Sequence, residues 1–168
     1  FLLDVSGSML SQDKLPLAKT SICMLLNQMN ARDRVAIVVY AGAAGTVLEP
    51  TPASERETAL VALDKLKAGG RTAGGEGIRL AYALAEKNFQ KDGVNRVILA
   101  SDGDFNVGIS DPRKLRNFVA RKRETGIFLT VLGFGLGNYR DTMMQTLAQT
   151  GNGMAAYIDG IKEARRVL

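Results

Sequence analysis

Six short apolar runs alternate along this chain with longer segments of helical spacing, and that alternation limits the fold more than any other feature. The runs are FLLDV (1–5), RVAIVVY (34–40), TVLE (46–49), RVILAS (96–101), IFLTVLGFG (127–135) and the weaker MAAYID (154–159). Rich in β-branched or aromatic residues, most of them read as strands buried on both faces of a parallel sheet. Between them lie KLPLAKTSICMLLNQMN (14–30), SERETALVALDKL (54–66), GEGIRLAYALAEKNFQ (75–90), DPRKLRNFVARKRET (111–125), YRDTMMQTLAQT (139–150) and GIKEARRVL (160–168), all with helical periodicity. AGAAG at 41–45 predicts a hairpin-like pairing of the second and third strands, with TVLE as an antiparallel edge. Alternation thereafter requires right-handed crossovers. The expected class is therefore α/β: a doubly wound, Rossmann-like, mostly parallel six-stranded sheet with one antiparallel edge strand and helices on both faces. The 168 residues suit one domain over 1–168. A start at Phe1 inside a strand, without methionine, predicts a domain excised from a longer chain.

Local signals refine these elements. Asp111 before Pro112 predicts an N-cap with proline in the first helical position, and Gly126 predicts a left-handed residue after that helix. Ser54 with Glu57 three residues on predicts a capping box. Cys23, Met24, Met143 and Met144 read as core-facing helical positions. The basic run RKRE (121–124) reads as a solvated helical face.

Composition excludes several functions. One cysteine rules out an internal disulfide, and the absence of histidine removes the usual zinc sites and the Ser-His and Cys-His nucleophile pairs. No apolar run approaches the roughly 20 residues of a membrane helix, so this stretch does not insert directly into a bilayer. The net charge of +5 arises from 22 basic and 17 acidic residues spread along the chain. With no aromatic interleaving, it does not predict nucleic-acid binding.

The first strand empties into Asp4, Ser6 and Ser8, three oxygen-bearing side chains within five positions. Alternating positions in a turning segment can aim at one point. The fourth strand ends in Asp102, and the glycine-rich AGGRTAGGEG (68–77) carries Thr72 at its centre. Ligands of open α/β sheets gather at the carboxyl ends of the strands where strand order reverses, which brings these three loops to one edge. A donor set of hydroxyls and carboxylates, with no nitrogen or sulfur, selects Mg²⁺, Ca²⁺ or Mn²⁺. Asp104 and Asn106 read as turn or capping residues. The glycines do not make a phosphate-binding loop, because Lys67 precedes them and GxxxxGK(S/T) is absent. GFGLGN (133–138) lacks the spacing of a dinucleotide-binding fingerprint.

DVSGSM, TAGG and SDG resemble, in order, the elements of the metal-ion-dependent adhesion site of von Willebrand factor A-type domains. KLPLAK, DRVAIVVYAG, NRVILASDGDFNVG, LGFGLGNYRD and GNGMAAYID resemble a bacterial subgroup in which the domain lies between accessory regions. The resemblance covers the whole chain. It implies a metal set of Asp4, Ser6, Ser8, Thr72 and Asp102: Ser6 and Ser8 bind directly, Thr72 directly or through water, and Asp4 and Asp102 mainly through water. Neutral hydroxyls then leave the ion much of its charge. It further implies a protein ligand offering a Glu or Asp carboxylate, or an accessory region of the same chain, and a bacterial envelope or surface setting. On this reading the domain is an adhesion-type interaction module and not an enzyme.

Two alternatives stand beside it. The same aspartates with Mg²⁺ could serve phosphoryl transfer, although that needs a cationic clamp and the loops offer few cations beyond Arg71. Or the domain is a scaffold with a vestigial metal site.

Overall fold

The computed structural model describes residues 1–41, 43–69, 77–103, 111–135 and 142–168. Among these, strands β1 (Leu2–Asp4), β2 (Arg34–Tyr40), β3 (Ala44–Pro52), β4 (Asn95–Ser101), β5 (Ile127–Phe134) and β6 (Ala155–Ile158) form one sheet in the order β3-β2-β1-β4-β5-β6. β2 and β3 pair antiparallel, and every other neighbouring pair is parallel. Strand order reverses between β1 and β4, as the alternating pattern requires.

Helices α1 (Leu15–Gln28), α2 (Arg56–Asp64) and α6 (Ile161–Val167) cover one face, and α3 (Gly77–Lys87), α4 (Pro112–Glu124) and α5 (Thr142–Thr150) the other. Successive strand residues point to opposite faces, so each strand feeds both cores. Leu2, Val38, Leu99 and Val131 pack with Ile78, Val119 and Leu147 on one side. Leu3, Ile37, Ala100 and Leu132 pack with Ile22, Leu63 and Ala164 on the other. Met144 is fully buried, and Met24, Met143 and Cys23 are half-buried against these cores. No helix among the described residues is long and apolar enough to cross a membrane.

The α4 signals act as read. Asp111 accepts hydrogen bonds from the Arg113 N–H (2.8 Å) and the Lys114 N–H (3.4 Å), Pro112 opens the helix, and Gly126 has φ +87°. In the basic last turn of the helix, Lys122 pairs with Glu86 at 2.6 Å and lies 5.3 Å from the Phe118 ring centre.

The capping box at Ser54 and Glu57 does not form. Ala53–Glu55 is a 3-10 turn, α2 begins only at Arg56, and its N-cap, Glu55, makes no side-chain capping bond. The cause is tertiary: the Ala53 N–H donates to the Asp33 carbonyl at 2.8 Å, holding the chain extended against β2 until Ala53 is buried. The same pairing carries β3 beyond TVLE to Pro52. Pro50 and Pro52 are tolerated because an edge strand leaves N–H positions facing solvent. Register shifts between Val35 and Val38 further break the ladder.

Candidate functional site

At the carboxyl edge, beside the reversal of strand order, β1 ends in Asp4, whose side chain is almost wholly buried. One carboxylate oxygen, Oδ1, accepts the Ser6 N–H at 2.8 Å, and Oδ2 accepts the Ser101 hydroxyl at 3.3 Å. Burial pushes the Asp4 carboxyl above the usual range, the Ser6 hydrogen bonds oppose this, and the nearby negative charge of Asp102 adds to it. After Asp4 the backbone stays extended at Ser6 and then enters a 3-10 turn over Gly7–Leu10, closed by Met9 N–H to Ser6 carbonyl at 3.0 Å. That bend sets the Ser6 and Ser8 hydroxyl oxygens 3.0 Å apart.

β4 ends in Ser101, and Asp102 follows, 4% exposed. Gly103, at φ +96°, turns the chain so that its N–H reaches the Ser101 hydroxyl at 3.2 Å. The third loop approaches from α2, where the Gly69 N–H donates to the Val5 carbonyl at 2.9 Å. Gly69 is thus held against the β1 loop; Thr72 itself, with Arg71, Asp104 and Asn106, lies outside the described residues. The structure therefore brings Asp4, Ser6, Ser8 and Asp102 to one edge. Beneath them the Tyr40 hydroxyl is buried without a hydrogen-bond partner of good geometry, and burial, then the charge of Asp4, pushes its phenol well up.

One residue of this cluster escaped the sequence reading. Lys14, immediately before α1, extends its ammonium to Asp102 Oδ2 at 2.8 Å and to the Ser8 carbonyl at 2.9 Å. The shortage of cations that weighed against phosphoryl transfer was thus overstated, yet this ammonium is already engaged by Asp102. A signal was present. A lysine at a helix N-terminus faces the positive end of the macrodipole, an unfavourable position that calls for a compensating acid.

The donor chemistry suits a hard divalent cation. The two serine hydroxyls are hydrogen-bonded to each other at 3.0 Å, close enough to serve as neighbouring ligands of one ion, since bonds of 2.0–2.1 Å to Mg²⁺ put adjacent octahedral oxygens about 3 Å apart. Among the described residues no three His, Cys, Asp or Glu side chains gather in a metal-holding group; a site built of hydroxyls in front of two carboxylates does not call for one.

Comparison with known proteins agrees with this architecture. Over the full 168 residues the chain is 45% identical to the uncharacterized protein YfbK of Escherichia coli (strain K12), and it spans 29% of that relative's length. The conserved hypothetical protein BatB of Bacteroides thetaiotaomicron has a crystal structure that superposes with a TM-score of 0.79 at 25% identity, covering 99% of this chain and 92% of that one. An aerotolerance-related membrane protein of Bacteroides fragilis superposes with a TM-score of 0.77 at 27% identity, covering 99% and 93%. Residues 1–104, which hold the β1 loop, both edges of the strand reversal and Asp102, match the family model for the von Willebrand factor type A domain. With that match, a six-stranded sheet in the order β3-β2-β1-β4-β5-β6 and an oxygen-rich edge at its turning point, the chain belongs to the von Willebrand factor type A domain family.

Proposed function

We propose that this domain is a protein-interaction module that captures an acidic side chain through a divalent cation, Mg²⁺ ahead of Mn²⁺ or Ca²⁺. Ser6 and Ser8 would hold the cation with Thr72, while Asp4 and Asp102 support it from behind. When bound, the ion supplies a concentrated positive charge that accepts a Glu or Asp carboxylate oxygen of a partner or of an accessory region of the same polypeptide. The observation that carries this reading is the serine pair, 3.0 Å apart in front of a carboxylate locked by the Ser6 N–H and the Ser101 hydroxyl. Asp4 does not need to turn: with both oxygens already engaged it fixes the Ser6 backbone, and through it the hydroxyl. Von Willebrand factor type A domains are generally protein-interaction modules, which favours binding over catalysis. A bacterial envelope or surface setting follows by analogy with the membrane protein of Bacteroides fragilis.

Thermal unfolding with and without Mg²⁺ tests the cation. At about 100 times the dissociation constant, binding adds about 2.7 kcal/mol, which for a chain of this size raises Tm by roughly 5–10 °C. Ser6→Ala and Ser8→Ala should each remove that rise while leaving the metal-free Tm within about 2 °C. Affinity capture from a native lysate should then recover a partner with Mg²⁺ and lose it with chelator. A melting temperature indifferent to Mg²⁺, Mn²⁺ and Ca²⁺ would sink the proposal.

A further inference from the structure

The ammonium of Lys14 lies within the oxygen cluster, and three features fix it there. Asp102 Oδ2 and the Ser8 carbonyl accept from it, at 2.8 and 2.9 Å. The aliphatic stem crosses Gly135, at the end of β5, so closely that a Cβ there would meet Lys14 Cε at 2.9 Å. Gly135 also adopts φ +98°, which disfavours any larger residue. The lysine side chain is 24% exposed and the aspartate 5%, so this pair is not a loose surface contact. The Ser8 bond and the glycine seat do not involve Asp102, so two of the three contacts place the charge beside the serines independently of that carboxylate.

We infer that Lys14 couples cation binding to capture of a carboxylate. The inference rests on the cation reading above. Asp4 and Asp102 together match the charge of a divalent ion, and among the described residues of the site these two carboxylates alone would leave a loaded site neutral, with little electrostatic demand for a foreign acid. The ammonium of Lys14 offsets one of these carboxylates. The loaded site is then left with one uncompensated positive charge, which an incoming Glu or Asp side chain removes. Lys14 therefore weakens the cation's hold in the absence of ligand and draws in the carboxylate that restores that hold, and by linkage the cation and the acid each tighten the other by the same factor.

Isothermal titration of the chain with MgCl₂, in chloride and in acetate buffers of equal ionic strength, tests this with acetate as the carboxylate probe. Lys14→Met keeps the stem over Gly135 and removes the charge; Lys14→Arg keeps the charge. In chloride, Lys14→Met should bind Mg²⁺ about tenfold more tightly than wild type, since a unit charge beside a half-buried divalent ion acts strongly at this range. Acetate should tighten Mg²⁺ binding for wild type and Lys14→Arg, and much less for Lys14→Met. Thermal unfolding of each metal-free variant confirms that it is folded. If wild type and Lys14→Met bind Mg²⁺ equally, or the variant binds more weakly, with the same response to acetate, the coupling role is wrong while the cation site survives. If neither binds Mg²⁺, the cation site falls and the coupling role with it.

Discussion

Gly153 offers the sharpest test of the packing that holds β6 against β5. It lies between α5 and β6, where its N–H donates to the Ala148 carbonyl at 2.8 Å. A methyl group there would overlap the carbonyl of Leu129 and approach the Thr130 nitrogen to 3.1 Å. Those atoms belong to the backbone of a central strand, and no side-chain rotation can move them aside. Gly153→Ala must therefore push the turn away from β5, straining the bonds from Leu129 N–H to Gly151 (3.0 Å) and from Val131 N–H to Met154 (2.9 Å). Overpacking costs about 1–3 kcal/mol and each hydrogen bond lost about 0.5–1.5 kcal/mol, giving about 3 kcal/mol in all and a fall in Tm of roughly 10 °C. Gly45→Ala is the matched control, because nothing lies within 4 Å of its Cβ position; it should change stability by less than about 0.5 kcal/mol. Urea unfolding followed by far-UV circular dichroism compares the midpoints, with an unchanged m-value confirming that stability alone has moved. Coincident transitions for the two variants would refute the argument from close approach.

Asp111→Ala removes the side chain that caps α4 and should cost about 1 kcal/mol, whereas Asp111→Asn should cost a few tenths; equal urea midpoints for wild type and both variants would show the cap to be idle. Burial in α1 pushes the Cys23 thiol up, with the charge of Lys19 opposing, so at pH 8 a thiol-reactive disulfide reagent should label the native chain more slowly than the urea-unfolded one. Because the native value is the higher, the native state keeps its proton longer as pH rises, and this group's contribution to stability fades from the ordinary thiol range up to its raised value. Equal labelling rates in the two states would contradict this.

The sheet was legible because its strands are covered on both faces: RVAIVVY and IFLTVLGF supply both cores, so they read as continuous apolar runs. Errors fell where a distant backbone group decided a local question. Ser54 and Glu57 have the spacing of a cap, yet the bond from Ala53 to Asp33 determines where α2 begins. At the site, Asp4, Ser6 and Ser8 stood out because they crowd five positions, and Asp102 because a carboxylate ending a buried strand needs a reason. Lys14 carried no such signal by pattern, since its acid partner lies 88 residues away. Only its awkward place at a helix start pointed to it.

The two margins of the sheet bear on how such domains behave when crowded. β3 is interrupted by two prolines and an irregular register, and β6 is only four residues long. Neither offers another copy a long, straight ladder of unpaired amides, the template on which cross-β stacking grows. Neighbouring copies can therefore meet margin to margin without a long shared ladder to hold them together.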